Sequence, residues 1–179
     1  KTVLLDVWRV TDYAGEPHGR EGQPLCWVTT AELEGLDLPD ADLPIVRALQ
    51  LSPLYLITDS RRYGKPGMLV LIERALRAGA RLLQLREPQM SQEEYVDYAR
   101  TVTALGHRYG ARVLLNADPA LVEVCGADGV HLDSRRLMAL SERPLSPSLQ
   151  IAASCHNTVE LAQAARVGAD YALLSPVLA

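Results

Sequence analysis

The chain has 179 residues, of which 48% are apolar and 22% are charged, and its formal net charge is −4. This composition is typical of a globular protein of one or two domains and argues against a nucleic-acid surface, which needs clustered cations. The three cysteines form no CxxC pair, no apolar run reaches the roughly 18 residues of a membrane span, and no signal peptide opens the chain, so we expect a cytoplasmic protein with small-molecule partners.

The first 50 residues alternate β-prone segments with polar turns. TVLLDVWRV at 2–10 and LCWVTT at 25–30 are rich in β-branched and aromatic residues, and both are predicted as strands. LPIVRAL predicts a helix that begins near Pro44. This pattern predicts an α+β segment. Pro53 in the QLSP segment marks its end, because a residue that precedes a proline is disfavoured in a helix.

From Leu54 onward one unit repeats: a short apolar strand, a turn, an amphipathic helix, a glycine and the next strand. Six strands are predicted, in the segments LYLIT, RLLQLRE, RVLLNA, DGVHLD, LQIAASCH and DYALLSPV. Apolar strands separated by helices are typical of a parallel sheet covered by helices. Units of about 20 to 25 residues without a Gly-rich dinucleotide loop favour a barrel. The predicted fold class is therefore α/β, an incomplete TIM-type (β/α) barrel of about six strands preceded by an α+β segment.

Polar side chains follow the ends of these strands, where a barrel carries its chemistry. The candidate site residues are Gln84, Arg86, Asn116, Ser154 and His156. Arginine offers a planar fork for phosphate, the amides donate and accept hydrogen bonds, and histidine moves protons near neutral pH. Together they predict one rim that binds a phosphorylated heterocycle, with His156 as the catalytic residue.

Simpler readings of the same residues remain open. The amides of Gln84 and Asn116 can serve only to satisfy loose backbone groups, and Arg86 with Glu87 can form a surface ion pair of under about 1 kcal/mol. Cys155 next to His156 does not predict a thiolate–imidazole pair, because adjacent strand residues point to opposite faces.

Six segments, in order over residues 55–177, carry a family resemblance: YLITD, LLQLRE, VLLNAD, GADGVHL, AASCH and GADYALLSPV. They resemble the first six strands of the thiamine phosphate synthase/TenI barrel family. The synthase joins a pyrimidine diphosphate to a thiazole phosphate with magnesium. The resemblance implies that Gln84, Arg86 and Asn116 bind the pyrimidine or its diphosphate and that Ser154 lines the same pocket.

The chain departs from the synthase pattern at three positions. Pro88 stands where the family has a diphosphate-binding lysine, and Ala117 and Arg136 stand where it has magnesium-binding carboxylates. Magnesium requires hard oxygen ligands, so the barrel metal site is expected to be lost unless Asp118 or Asp133 substitutes. TenI-type members lack that site and aromatise a thiazole phosphate tautomer with a histidine at the position of His156. Tautomerisation, residual synthase activity and a catalytically silent barrel all remain as alternatives.

The first 50 residues have a resemblance of their own, carried by GREGQP and Trp27. They resemble the carboxyl-terminal part of MutT-type Nudix hydrolases, which cleave oxidised dGTP with Mg²⁺. The resemblance implies that Glu21 is an auxiliary metal ligand and that Asp42 occupies the position of an asparagine that reads the guanine edge. A carboxylate accepts but does not donate unless protonated, so this replacement alters base recognition.

The sequence thus predicts three segments: residues 1–50 as a partial Nudix domain, 51–53 as a linker, and 54–179 as a barrel truncated after its sixth strand. The parent is expected to be a bifunctional Nudix hydrolase and thiamine phosphate synthase/TenI-type protein. Alternatively, the barrel is a non-catalytic ligand-binding or scaffolding appendage of the hydrolase. The chain alone is expected to be inactive, because the Nudix box would precede Lys1 and the phosphate loops of two further strands would follow Ala179. No oligomeric state is predicted.

Overall fold

The computed structural model describes residues 7–30, 32–39 and 41–177. The chain divides into two compact units, Lys1–Leu51 and Ser52–Ala179. Within the described ranges, no helix is both long enough and apolar enough to cross a membrane.

The described residues of the first unit form two short helices, a 3₁₀ helix at Glu32–Gly35 and helix α1 at Leu43–Gln50. The helix predicted to begin near Pro44 is confirmed. The two predicted strands are wrong wherever they are described: residues 7–10 and 25–30 are not strands, while residues 2–6 lie outside the described ranges. An extended segment becomes a strand only when a neighbour takes up its backbone hydrogen bonds, and the described part of this unit supplies none.

The second unit is a single parallel sheet with helices between its strands. The strands are β1 (Leu56–Ile57), β2 (Leu82–Leu85), β3 (Arg112–Leu115), β4 (Gly129–Leu132), β5 (Gln150–Cys155) and β6 (Tyr171–Leu174). The helices are α2 (Ser60–Arg77), α3 (Gln92–Arg108), α4 (Leu121–Cys125), α5 (Ser134–Ala139) and α6 (Thr158–Arg166). The strands lie in sequence order and every neighbouring pair is parallel. The six predicted strands and their helical connections are confirmed.

Four of the helices end in the same way, at a Gly-Ala pair that turns the chain into the next strand. The glycines have positive φ, and each following alanine donates its N–H to the carbonyl five residues earlier; they are Gly79, Gly110, Gly126 and Gly168. This pattern is the Schellman motif, in which a left-handed glycine satisfies the last carbonyls of the helix. The repeated glycine therefore gives each connection the same exit geometry.

Alternate residues of the central strands pack against the helices. The buried core on this face includes Leu83, Leu85, Val113, Leu115, Val130, Leu132, Ile151, Ala153 and Cys155. Because strand side chains alternate, the residues between them point to the opposite, inner face of the sheet. Cys155 faces the helices and is fully buried, which raises the pKa of its thiol and leaves it unsuited to act as a nucleophile.

The sheet is curved so that its two edge strands approach each other across the inner face. Tyr55, just before β1, lies edge-on to Tyr171 of β6 with 5.9 Å between ring centroids. The hydroxyl of Tyr55 lies 3.0 Å from Nδ1 of His131 in β4. Residues from the first, fourth and sixth strands thus meet in one interior, as they do in a barrel.

Candidate functional site

A cleft of about 730 Å³ opens at the carboxyl edge of the sheet. The structure brings all five barrel residues predicted from the sequence into its wall: Gln84, Arg86, Asn116, Ser154 and His156. Each of the five lies on the inner face of its strand or just past the strand end, an even number of residues from an inner-face residue of the same strand. Because strand side chains alternate between the two faces, all five point to the same side of the sheet. The wall also contains Asp133, Arg135 and Arg136, from the start of α5.

The cleft has a buried hydrogen-bonded base. His131 is 1% exposed; its Nδ1 lies 3.0 Å from the Tyr55 hydroxyl and its Nε2 lies 2.8 Å from Ser154 Oγ. Burial lowers the pKa of His131 from its ordinary 6.5 to about 4, a shift that Asp133 opposes and Arg86 reinforces. The imidazole is therefore neutral at pH 7 and holds the Ser154 hydroxyl in a fixed orientation at the wall of the cleft.

The neutral state of His131 makes the stability of the barrel unit depend on pH. The unfolded chain binds a proton at this residue near pH 6.5, and the folded chain binds it only near pH 4. The contribution of His131 to the free energy of unfolding is therefore complete above pH 6.5 and is lost as the pH falls toward 4. We expect the free energy of unfolding to fall by up to about 3 kcal/mol from this group over that range. Urea unfolding at pH 7 and pH 4.5 measures the difference. His131→Gln should remove this component, and an unchanged pH dependence in that variant would contradict the assignment.

His156 is half-exposed and is oriented by a carboxylate. Glu160 Oε2 accepts hydrogen bonds from the backbone N–H of His156 at 2.8 Å and from its Nδ1 at 2.9 Å. The Ser134 hydroxyl donates to Glu160 Oε1 at 2.5 Å, and this bond, followed by those from His156, lowers the pKa of Glu160 to about 2. Since an ionised carboxylate only accepts, the proton of a neutral His156 imidazole lies on Nδ1, and Nε2 is left as a hydrogen-bond acceptor.

The alternative of an Arg86–Glu87 surface pair is wrong. Glu87 is 3% exposed, and its carboxylate accepts from the backbone N–H and the hydroxyl of Ser60 and from Gln89. Glu87 thus ties the end of β2 to the start of α2. Arg86 is exposed at the cleft, and no carboxylate of the described residues pairs with its guanidinium.

Asn116 has one structural hydrogen bond and Gln84 is buried at the wall. Asn116 Nδ2 donates to the His131 carbonyl at 3.0 Å, so the proposal that this amide satisfies a backbone group is correct for its NH₂ group. The hydrogen-bonding capacity of its oxygen is not used by that contact. Gln84 is 3% exposed and still lines the cleft.

Magnesium, which the synthase reaction implies, does not fit the donors at this cleft. Asp133 accepts from the Arg136 backbone N–H at 2.8 Å through Oδ1 and pairs with the Arg136 guanidinium through Oδ2. Asp118 lines a neighbouring depression with Ala117, and Arg136 lines both cavities. Across the described ranges, no three histidine, cysteine or acidic side chains converge as metal ligands. A cation placed between Asp118 and Asp133 would face a guanidinium.

Of the two site residues predicted in the first unit, Glu21 lies in an exposed turn and Asp42 at the start of a helix. Glu21 is exposed, and its backbone N–H donates to Gln23. Asp42 precedes α1 in the N-cap position without a side-chain capping bond. Neither residue lines the aromatic pocket of about 590 Å³ formed within this unit around Trp8, Tyr13 and Trp27.

Sequence reasoning missed three residues that shape the cleft: Tyr55, His131 as a hydrogen-bonding centre, and Glu160. Glu160 had a readable signal, because it is four residues after His156 and three after the N-cap Asn157, whose side chain accepts from its backbone N–H. Tyr55 and His131 are 76 residues apart, and no local pattern links them.

Fold and cleft together define a six-stranded (β/α) half-barrel with a polar cleft at the carboxyl ends of its strands, the face at which barrels of this class carry their sites. Residues 54–179 match the TMP-TENI family model, described as thiamine monophosphate synthase, and the chain belongs to this family.

Individual relatives agree with this assignment. A Geobacter sulfurreducens relative is 38% identical over 125 residues, covering 69% of this chain and 59% of its own length. The thiamine-phosphate synthase of Alcanivorax borkumensis is 38% identical over 124 residues, covering 68% of this chain and 57% of its own. The structure of a thiamine phosphate pyrophosphorylase from Pyrococcus furiosus superposes with a TM-score of 0.56 at 26% identity, covering 69% of this chain and 60% of its own. The chain thus spans less than two thirds of the length of these relatives.

Proposed function

We propose that the barrel unit converts a thiazole phosphate tautomer into its aromatic form, with His156 carrying the proton. The observation that carries the proposal is the His156–Glu160 pair at the wall of the cleft. Glu160 fixes the proton of the imidazole on Nδ1, so Nε2 faces a bound ligand as a base. Proton transfer between two positions of one ring system needs such a group and no metal.

The step is an isomerisation and balances without a co-reactant. Nε2 of His156 takes the proton from a saturated ring carbon, and that C–H bond breaks. Its electron pair moves into the ring, which becomes aromatic, and the imidazolium returns the proton at the far end of the conjugated system. The anionic Glu160 stabilises the imidazolium while it exists.

The remaining cleft residues are assigned to binding. No carboxylate of the described residues pairs with the Arg86 guanidinium, whose planar shape suits a phosphate because it donates to two oxygens at once. Gln84 and Asn116 offer amide groups to the heterocycle, and the Ser154 hydroxyl, oriented by His131 at 2.8 Å, adds a further donor or acceptor. The family resemblance assigns Gln84, Arg86 and Asn116 to a pyrimidine or its diphosphate, and the proposal gives the same side chains a thiazole phosphate instead.

The direct test is to mix the thiazole phosphate tautomer with the full-length protein. Conversion is detected as a rise in aromatic-ring absorbance or by proton NMR. We expect conversion that persists in excess chelator. The same tautomer with a free alcohol in place of the phosphate serves as the matched control. It should react more slowly, because it lacks the phosphate that Arg86 is proposed to bind. No conversion by a folded protein would overturn the proposal and favour the alternative, a non-catalytic ligand-binding or scaffolding barrel.

We propose further that residues 1–50 are the carboxyl-terminal part of a MutT-type Nudix domain, with Glu21 as an auxiliary ligand of Mg²⁺ and Asp42 at the base-reading position. Support comes from GREGQP with Trp27 and from the pocket lined by aromatic rings, in which Tyr13 and Trp27 stack with 5.7 Å between centroids. Aromatic rings of this kind stack on nucleobases. Magnesium-dependent hydrolysis of oxidised dGTP by the full-length protein is the test. It should be weakened in Glu21→Gln and not in Asp37→Asn, an exposed position outside the aromatic pocket. A protein without that hydrolysis would refute the proposal.

A further inference from the structure

We infer that this cleft binds a phosphate monoester without a divalent cation, using Arg135 and Arg136 together with Arg86 in place of the metal. The inference rests on the proposed function for the identity of the ligand and extends it to the charge that holds the ligand.

The cleft reverses the sign of the charge carried by the whole chain. The protein has a formal net charge of −4, yet three arginines and a single carboxylate, Asp133, line this cavity. Field lines in a cleft lined by one sign of charge are focused by its low-dielectric walls, which concentrates ligands of the opposite sign. A ligand with two negative charges is therefore the species that this cavity attracts.

The single carboxylate is already used within the protein. Asp133 caps α5 by accepting from the Arg136 backbone N–H at 2.8 Å, and its second oxygen pairs with the Arg136 guanidinium. A divalent cation on Asp133 would displace this pair and would lie beside a guanidinium. An arriving phosphate can instead share Arg136, because the guanidinium has five N–H donors and the contact with Asp133 occupies only part of the fork.

The other two arginines have no such partner. Arg86 and Arg135 are exposed at the wall, and within the described ranges no carboxylate pairs with either guanidinium. Arg136 also lines the neighbouring depression, next to Asn116 and Ala117. By the family resemblance, Ala117 and Arg136 stand where the synthase has two magnesium-binding carboxylates, and neither side chain supplies the hard oxygen ligand that magnesium requires. The cavity is thus lined by two guanidinium groups that pair with no carboxylate of the described residues and by one that is shared with Asp133. Three such groups suit the three oxygens of a phosphate monoester.

The test is calorimetric titration of the folded full-length protein with the aromatic thiazole phosphate and with its unphosphorylated alcohol. In chelator, we expect the phosphate to bind and the alcohol to bind at least about tenfold more weakly, a difference of about 1.4 kcal/mol. Added MgCl₂ should change the dissociation constant of the phosphate by less than about twofold, because the bound phosphate gains no contact with a metal ion.

Variants assign the effect to particular side chains. Arg135→Gln and Arg136→Gln should each weaken phosphate binding by about tenfold or more, as expected for losing a charged hydrogen bond, and leave alcohol binding unchanged. Arg108→Gln, an exposed arginine of α3 outside the cleft, is the matched control. Arg136→Lys keeps the charge and checks that any loss is not due to unfolding, as does a circular dichroism spectrum of each variant.

Two outcomes would overturn the inference: phosphate binding that requires Mg²⁺, or binding that is unaffected in both glutamine variants. Either can occur while the protein still converts the tautomer. Conversely, metal-free binding that depends on the arginines, without any conversion, would refute the proposed reaction and leave this inference standing. The two claims therefore fail separately.

Discussion

Gly129→Ala is expected to prevent the barrel unit from folding. Gly129 opens β4 and pairs directly with Gln150 of β5. A Cβ built at this position would overlap the carbonyl oxygen of Gln150 and would lie 2.7 Å from its carbonyl carbon and 2.9 Å from its nitrogen. All three atoms belong to the backbone of a central strand, so no side-chain rotation relieves the overlap, and the two strands would have to separate.

The expected cost exceeds about 4 kcal/mol, a large part of the 5–15 kcal/mol that stabilises a typical domain. We expect the cooperative urea transition, followed by circular dichroism, to shift to much lower urea or to disappear. Gly67→Ala is the matched control: Gly67 lies within α2, and its added Cβ meets only the Tyr63 Cβ at 3.7 Å. That variant should be as stable as wild type or up to about 1 kcal/mol more stable. A Gly129→Ala protein with an unchanged midpoint would show that β4 and β5 do not approach this closely.

His156→Ala is expected to abolish tautomer conversion while the protein stays folded. Its ring is half-exposed, and among the described residues its Nδ1 bonds to Glu160 alone, at 2.9 Å. The substitution leaves Glu160 with its bonds from Ser134 and from the backbone N–H of residue 156. A positioned general acid–base group contributes about 10²- to 10⁴-fold, and we expect kcat to fall by that factor with little change in KM.

Two companion variants sharpen the result. Glu160→Gln should cause a smaller loss and change the pH profile, because an amide no longer fixes the proton on Nδ1 or stabilises the imidazolium. His107→Ala is the matched control, since His107 is also half-exposed and also pairs with a carboxylate, Asp128 at 2.9 Å, but lies on α3 outside the cleft. Equal kcat values for His156→Ala and His107→Ala would remove His156 from the reaction.

Much of the barrel could be predicted because its signals are local. Each repeat carries its own apolar strand, and four of the five helices carry a closing glycine, as in Gly110 before β3 and Gly126 before β4. The strand period of two then places Gln84 and Ser154 on the inner face without knowledge of the rest of the fold. The strands predicted at 7–10 and 25–30 are wrong in the described structure because propensity alone does not supply a pairing partner.

The parts of the site that could not be predicted depend on distant contacts or on burial. The Tyr55–His131 bond joins residues 76 positions apart, and the curvature of the sheet that brings them together is not encoded in either segment. The sequence leaves open a surface pair of Glu87 with Arg86, whereas the structure buries Glu87 against Ser60. Because Glu87 is bonded to Ser60, it does not pair with the guanidinium of its sequence neighbour Arg86 at the cleft.

The central claim is that the carboxyl edge of the sheet is a ligand site for a thiazole phosphate. A titration of the ¹⁵N-labelled full-length protein with the aromatic thiazole phosphate, followed by backbone amide NMR shifts, tests it most directly. The claim predicts that the largest shifts, saturating together, occur at Arg86, Asn116, Arg136, Ser154 and His156. Shifts confined to other surfaces, or none at saturating ligand, would contradict it.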